Sequence, residues 1–154
     1  MAKLNRSPII TDLARLHEVS MEVDMSNMQL VQGLEKALLD AYNYHNGKMQ
    51  GLAAIQVDKP YKAILLRFVK GEEPIICYNP TIRLKFGSKK SNEGCMSEGD
   101  QRYIVKRPTL MLFEYQTKDG TRVKKWLSFM QARIVEHECD HLKGILLQDY
   151  GKKV

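Results

Sequence analysis

The chain has little of what several protein classes require. Its 154 residues include three cysteines, Cys77, Cys95 and Cys139. An odd number, with no secretory leader legible in residues 1–10, argues against a disulfide scaffold and leaves at least one thiol for other chemistry. No apolar run approaches the roughly 20 residues that a membrane-spanning helix needs. There is no internal repeat, low-complexity tract or linker, so residues 1–154 read as one domain. An arginine–aromatic stripe is also missing. The net charge of +6 is spread along the chain, which favours a solvated basic surface over sequence-specific nucleic-acid recognition. It leaves room for transient attraction to an acidic partner such as a ribosome. A soluble, cytoplasmic protein without a membrane partner is expected.

What is present suits a compact core, with 44% hydrophobic and 27% charged residues. Leu30, Val31, Leu34, Ala37, Leu38, Ala41 and Tyr42 recur at helical spacing, predicting a helix over 27–45 opened by a Ser26/Gln29 capping box. Strands are expected over 62–69, 74–78, around Ile82, Leu84 and Phe86, and over 109–116 and 121–127. Lys118-Asp119-Gly120 is a hairpin turn between the last two. A second box, Ser128/Gln131, opens a helix to Leu142 that Gly144 ends. The class is α+β: mostly antiparallel sheets around a C-terminal helix, with an N-terminal helix.

That last helix carries chemistry. His137-Glu138-Cys139-Asp140-His141 fits H-E-x-x-H, and at about 100° per residue the two histidines face one way, one turn apart. Two imidazoles so placed reach a single ion. Glu138 lies close enough to take a proton from a water there without binding the ion itself. Met130 and Ile134 continue the histidine line, so this face looks inward. Cys139 points away and reads as packing, Cys77 as core, and His17 and His45 as surface or helix-end residues.

A catalytic site usually adds a third protein ligand and leaves one position open. Downstream, only Asp149 is available, and it follows closely. Upstream, Cys95 stands in the polar stretch Glu93-Gly94-Cys95-Met96-Ser97, where Gly94 permits close backbone approach. Alone it would be an ordinary loop cysteine; beside H-E-x-x-H it is the better candidate. A thiolate with two imidazoles accepts zinc, ferrous iron, nickel or cobalt.

Three ordered motifs, Gly51-Leu52-Ala53-Ala54-Ile55-Gln56, Glu93 to Ser97, and His137 to His141, make the chain resemble the peptide deformylases. Tyr78-Asn79-Pro80, Gln101-Arg102, Gly144 and Asp149-Tyr150 extend the likeness over nearly the whole chain. The resemblance implies a hydrolase that removes the formyl group from N-formylmethionyl peptides of nascent proteins and releases formate. It implies Cys95, His137 and His141 as ligands of one divalent ion, Fe2+ in the cell, with Glu138 as base. It also implies the Gln56 amide and the Met96 backbone N–H as oxyanion donors. Gln50, Gly51, Gly94 and Arg102 would contact substrate, the segment at Gly51 pairing with its backbone, and Glu93 would orient a histidine. The competing readings are a zinc peptidase of the H-E-x-x-H type and a catalytically weak, metal-stabilised binding protein.

The chain departs from the family pattern at four places. Met49 replaces a glycine and Gln50 an apolar residue at the channel edge. Glu98-Gly99 replaces an apolar residue and proline, putting a charge near the entrance. Glu136 replaces a glutamine, and the sequence stops soon after Tyr150, without the extension that some members use at the ribosome.

Overall fold

The computed structural model describes residues 6–154. Residues 1–5, half of the segment read for a leader, lie outside the described residues. Helices α1 (Leu13–Leu16) and α2 (Met28–Tyr44) come first, then strands β1 (Gly51–Ala53), β2 (Ala63–Leu66), β3 (Ile75–Phe86), β4 (Lys89–Glu93), β5 (Tyr103–Arg107), β6 (Leu110–Gln116) and β7 (Arg122–Ser128). Helices α3 (Met130–Leu142) and α4 (Leu147–Tyr150) and strand β8 (Lys152–Lys153) follow. Single 3-10 turns at Ala54–Val57 and Met96–Glu98 link β1 to β2 and β4 to β5. One sheet has the order β1-β2-β3-β6-β7 and the other β4-β5-β8, and neighbouring strands are antiparallel. No helix among the described residues is long and apolar enough to cross a membrane.

The five-stranded sheet separates two cores. Side chains alternate across a strand, and in β2 the consequence is direct. Ile64 and Leu66 join Phe113, Val135, Cys139 and Leu142 on the α3 side. Ala63 and Leu65 join Val31, Leu34, Leu38 and Tyr78 on the α2 side. Each fully buried leucine or isoleucine contributes about 1.5–3 kcal/mol, so both helices are held by apolar contact. Cys77 is core and Cys139 packs, as expected.

Both helix starts differ from expectation. Asn27, not Ser26, caps α2 by accepting from the Leu30 N–H; Ser26 instead donates its hydroxyl to Asp24. Ser128 is the last residue of β7, paired with Leu110, so it cannot cap α3. Phe129 occupies that position at φ 48° and offers no side-chain hydrogen bond. The strands expected over 74–78 and around Ile82–Phe86 are one strand, β3, whose register slips between Tyr78 and Thr81. Asn79 at φ 48° and Pro80 form that irregularity, which is how a proline enters a strand. The hairpin at Lys118-Asp119-Gly120 joins β6 and β7 as expected. Strands β4 and β5 have no counterpart in the sequence reading.

Candidate functional site

The site forms where α3 meets β1, the end of β4 and the turn after it. Cys95, His137 and His141 offer donor atoms that all lie within 4.8 Å of one another. Cys95 Sγ is 3.4 Å from His141 Nε2. A tetrahedral ion with bonds of about 2.0–2.3 Å separates its donors by about 3.3–3.8 Å. The trio therefore fits one transition-metal ion, with a position left for water or substrate. Asp149 is elsewhere: it accepts from the Leu146 N–H and from His17 Nε2.

The His137 orientation has an identifiable cause, whereas the buried His141 Nδ1 has no hydrogen-bond partner among the described residues. His137 Nδ1 donates to Glu93 Oε1 at 3.0 Å, leaving the lone pair of its other nitrogen for a ligand role. Glu93 in turn accepts from Arg107 Nη2 at 2.7 Å and Nε at 3.0 Å. Arg107 is 3% exposed and also donates through Nη1 to Glu136 at 3.1 Å and Asp140 at 2.9 Å. Burial alone would raise the Glu93 carboxyl, but hydrogen bonds from His137 and Arg107 outweigh it and hold the group near 2. Burial keeps His141 well below the ordinary imidazole range, hence neutral and able to ligate. Glu136, the departure from glutamine, serves this network and also accepts from Lys85.

Glu138 is 5% exposed, and its Oε2 is buried with no hydrogen-bond partner. Burial pushes its carboxyl up to about 7. An unpartnered buried carboxylate is costly unless something polar enters beside it. Its placement explains Gly51, because a Cβ there would lie 2.7 Å from Glu138 Oε1. Gln56 is 4% exposed. Its carbonyl oxygen accepts from the Ala53 N–H at 3.0 Å, which turns the NH2 toward Cys95 Sγ at 3.5 Å and Ser97 Oγ at 3.1 Å. Met96 follows Cys95, with its side chain 47% exposed at the cleft.

These groups open into a cleft of about 290 Å³ that Gln50, Gly51, Gly94, Met96 and Arg102 also line. Gly94 is close to Arg102: a Cβ would meet Nη1 at 2.9 Å. Arg102 itself donates to the Asn92 side chain at 2.8 Å and backbone carbonyl at 2.9 Å. Met49 lines the cleft, as expected, while also packing in the α2-side core at 7% exposed. One expected consequence of the departures needs correcting. Glu98 does not charge the entrance. It accepts from the N–H groups of Leu147 and Gln148 and caps α4.

Arg107 and Ser97 were not anticipated. Tyr103, Val105 and Arg107 alternate along β5 with their side chains inward, and that period would have marked an inward arginine in need of carboxylates.

The polypeptide deformylase family profile matches residues 8–154. A peptide deformylase of Hyphomonas neptunium is 34% identical over 140 residues, covering 88% of this chain and 78% of that one. A probable peptide deformylase from Synechococcus phage S-SSM7 has a similar structure, with TM-score 0.82, 33% identity and coverage of 92% and 97% of the two chains. A class I type b peptide deformylase from Acinetobacter baumannii with bound Met-Ala-Ser gives TM-score 0.81 at 27% identity, over 92% and 96% of the two chains. With the profile spanning nearly all of it, this chain belongs to the polypeptide deformylase family.

Proposed function

We propose that this protein is an enzyme that hydrolyses the formamide bond of N-formylmethionyl peptides, releasing formate and a free amino terminus. The observation that carries the reading is the convergence of Cys95, His137 and His141 beside a buried carboxylate, Glu138, that has no partner on Oε2. Cys95, His137 and His141 would hold one divalent ion. We take it to be ferrous in the cell, with zinc, nickel or cobalt able to replace it. When bound, the ion lowers the pKa of a water and polarises the formyl carbonyl.

The remaining work falls to the chain. Glu138 accepts the proton as water adds to the formyl carbon, then returns it to the departing amine. The Gln56 amide, held by Ala53, and the Met96 backbone N–H are assigned as donors to the oxygen on which charge develops. The Gly51 edge and the residues Gln50, Gly94 and Arg102 are assigned to the substrate. Glu93 fixes the His137 tautomer. The bound Met-Ala-Ser of the A. baumannii relative supports a peptide product beginning with methionine. A place in the cytoplasm, with transient ribosome contact and no membrane or sequence-specific nucleic-acid partner, belongs to the same reading, as does one catalytic domain over 1–154.

The test is formate release from formyl-Met-Ala-Ser by protein loaded with ferrous iron without oxygen. Wild type turns over, and Glu138→Gln loses about 10²–10⁴-fold in kcat while metal analysis finds the ion still bound. No formate from correctly loaded wild type would overturn the reading.

A further inference from the structure

Beside the catalytic cleft lies a second cavity of about 420 Å³. Asn92 and Arg133 line both, so the two adjoin. Two features make the second one a place for an anion. Its cations are uncompensated. Lys89, Lys90 and Arg133 line it, no acidic residue does, and among the described residues none of the three has a carboxylate partner within ion-pair distance. Arg107 also borders it, but its charge is spent on Glu93, Glu136 and Asp140.

The second feature is the start of α3. The helix is 13 residues long, no side chain caps it, and its first turn has no acidic residue. The first N–H groups of a helix have no partner inside it, and together they attract negative charge. The cap residue Phe129 and Met130 and Arg133 of that first turn line the cavity; the Phe129 and Arg133 N–H groups are taken by the carbonyls of Thr109 and Phe129, which leaves the N–H of Met130.

The path into this cavity follows from the sheet. Strand β4 pairs with β5 on one side only and is an edge. Glu93 and Asn92 border the catalytic cleft, while Ser91, Lys90 and Lys89 border the second cavity. An extended peptide laid along this edge from the formyl end would advance about 3.3 Å per residue. It reaches Lys90 two to four residues after the methionine.

Resting on the deformylase reading above, we infer that this cavity is an anion subsite that takes an aspartate or glutamate side chain of the formylated chain shortly after its first residue. The enzyme thereby favours acidic amino-terminal sequences. An RNA phosphate would satisfy the same cations. The peptide is favoured because the cavity adjoins the catalytic cleft at Asn92 and Arg133, beside the place where the formylated end would sit.

The experiment uses iron-loaded full-length protein and formyl-Met-Ala-Ser-Ala peptides carrying aspartate, alanine or lysine in turn at positions two to four. At low salt, kcat/KM for the best aspartate peptide is expected to exceed that of its lysine counterpart by roughly five- to twentyfold. The ratio shrinks in high salt. Arg133→Gln with Lys90→Gln should bring it toward one, and Lys90→Glu with Lys89→Glu should invert it, an outcome that loss of structure does not produce. Melting temperatures check that each variant is folded. Turnover of the alanine peptide with an aspartate-to-lysine ratio within twofold would overturn the subsite and leave the deformylase reading standing. The same ratio with inhibition by a short oligouridylate would reassign the cations to RNA. No formate from any peptide would remove both readings.

Discussion

The inner end of the cleft and its mouth are organised by opposite rules. At the inner end nearly every polar atom is fixed by another: Gln56 by Ala53, His137 by Glu93, Glu93 by Arg107. Among the described residues the unpartnered buried atoms there are the Glu138 carboxylate oxygen assigned to the reaction and His141 Nδ1. At the mouth, among the described residues, the charges of Lys89, Lys90 and Arg133 are fixed by no carboxylate, and Gln50 is exposed, its side chain donating to Met130 Sδ at 3.8 Å. The inner end is built for one chemistry. The mouth is built for adjustable preference, and a substitution should cost far more at the first than at the second.

The sharpest test of that difference is Gln56→Leu. Removing one preorganised donor to a developing oxyanion lowers kcat by about 10²–10³-fold, and KM should move much less. Steady-state formate release reports both, and a change confined to KM would return Gln56 to a packing role.

Next is Glu93→Gln. The carboxylate orients His137 and neutralises buried Arg107, so metal affinity should fall about 10–100-fold. Stability should fall by about 3–5 kcal/mol, as for other buried pairs that lose one partner. Competition with a chelator and denaturant melts measure the two effects. An unchanged affinity would mean that the histidine needs no orienter.

At the mouth, Gln50→Ile should change KM for formylated peptides by less than about fivefold, because one exposed side chain carries on the order of 1 kcal/mol. A hundredfold change would erase the distinction between the two ends.

The smallest effect lies outside the cleft, at His17 and Asp149. Hydrogen bonding to Asp149 raises the half-exposed His17 imidazole above its ordinary value. A raised folded pKa stabilises fully below the unfolded value near 6.5 and is lost as pH rises through the folded value. The melting advantage of wild type over His17→Gln should therefore be larger at pH 6 than at pH 9. An advantage independent of pH would assign His17 to packing alone.

How legible all this was in the sequence depended on what carried the signal. The ligand helix was readable because His137 and His141 sit one turn apart, and α2 because its apolar residues keep helical period. Strand β4 was not, because Lys-Lys-Ser-Asn-Glu faces its inward positions with the polar Ser91 and with Glu93, whose partners Arg107 and His137 lie far off in the chain. Serine alone misplaced both caps. Asn27 outcompeted Ser26, and a β-hairpin claimed Ser128 before α3 could use it. Substitutions at the mouth were visible as departures, but where each side chain points was not. Met49 packed into the core as well as lining the cleft, and Glu98 turned toward α4.

That last contact has a kinetic consequence. By accepting from Leu147 and Gln148, Glu98 latches the turn that begins at Cys95 onto α4, and β8 just beyond pairs with β5. Residues 95–98 and 147–153 are therefore expected to open as one cooperative unit. Deuterium uptake at the amides of 147–153 and loss of the ion from Cys95 should share a rate, and Glu98→Ala should quicken both together.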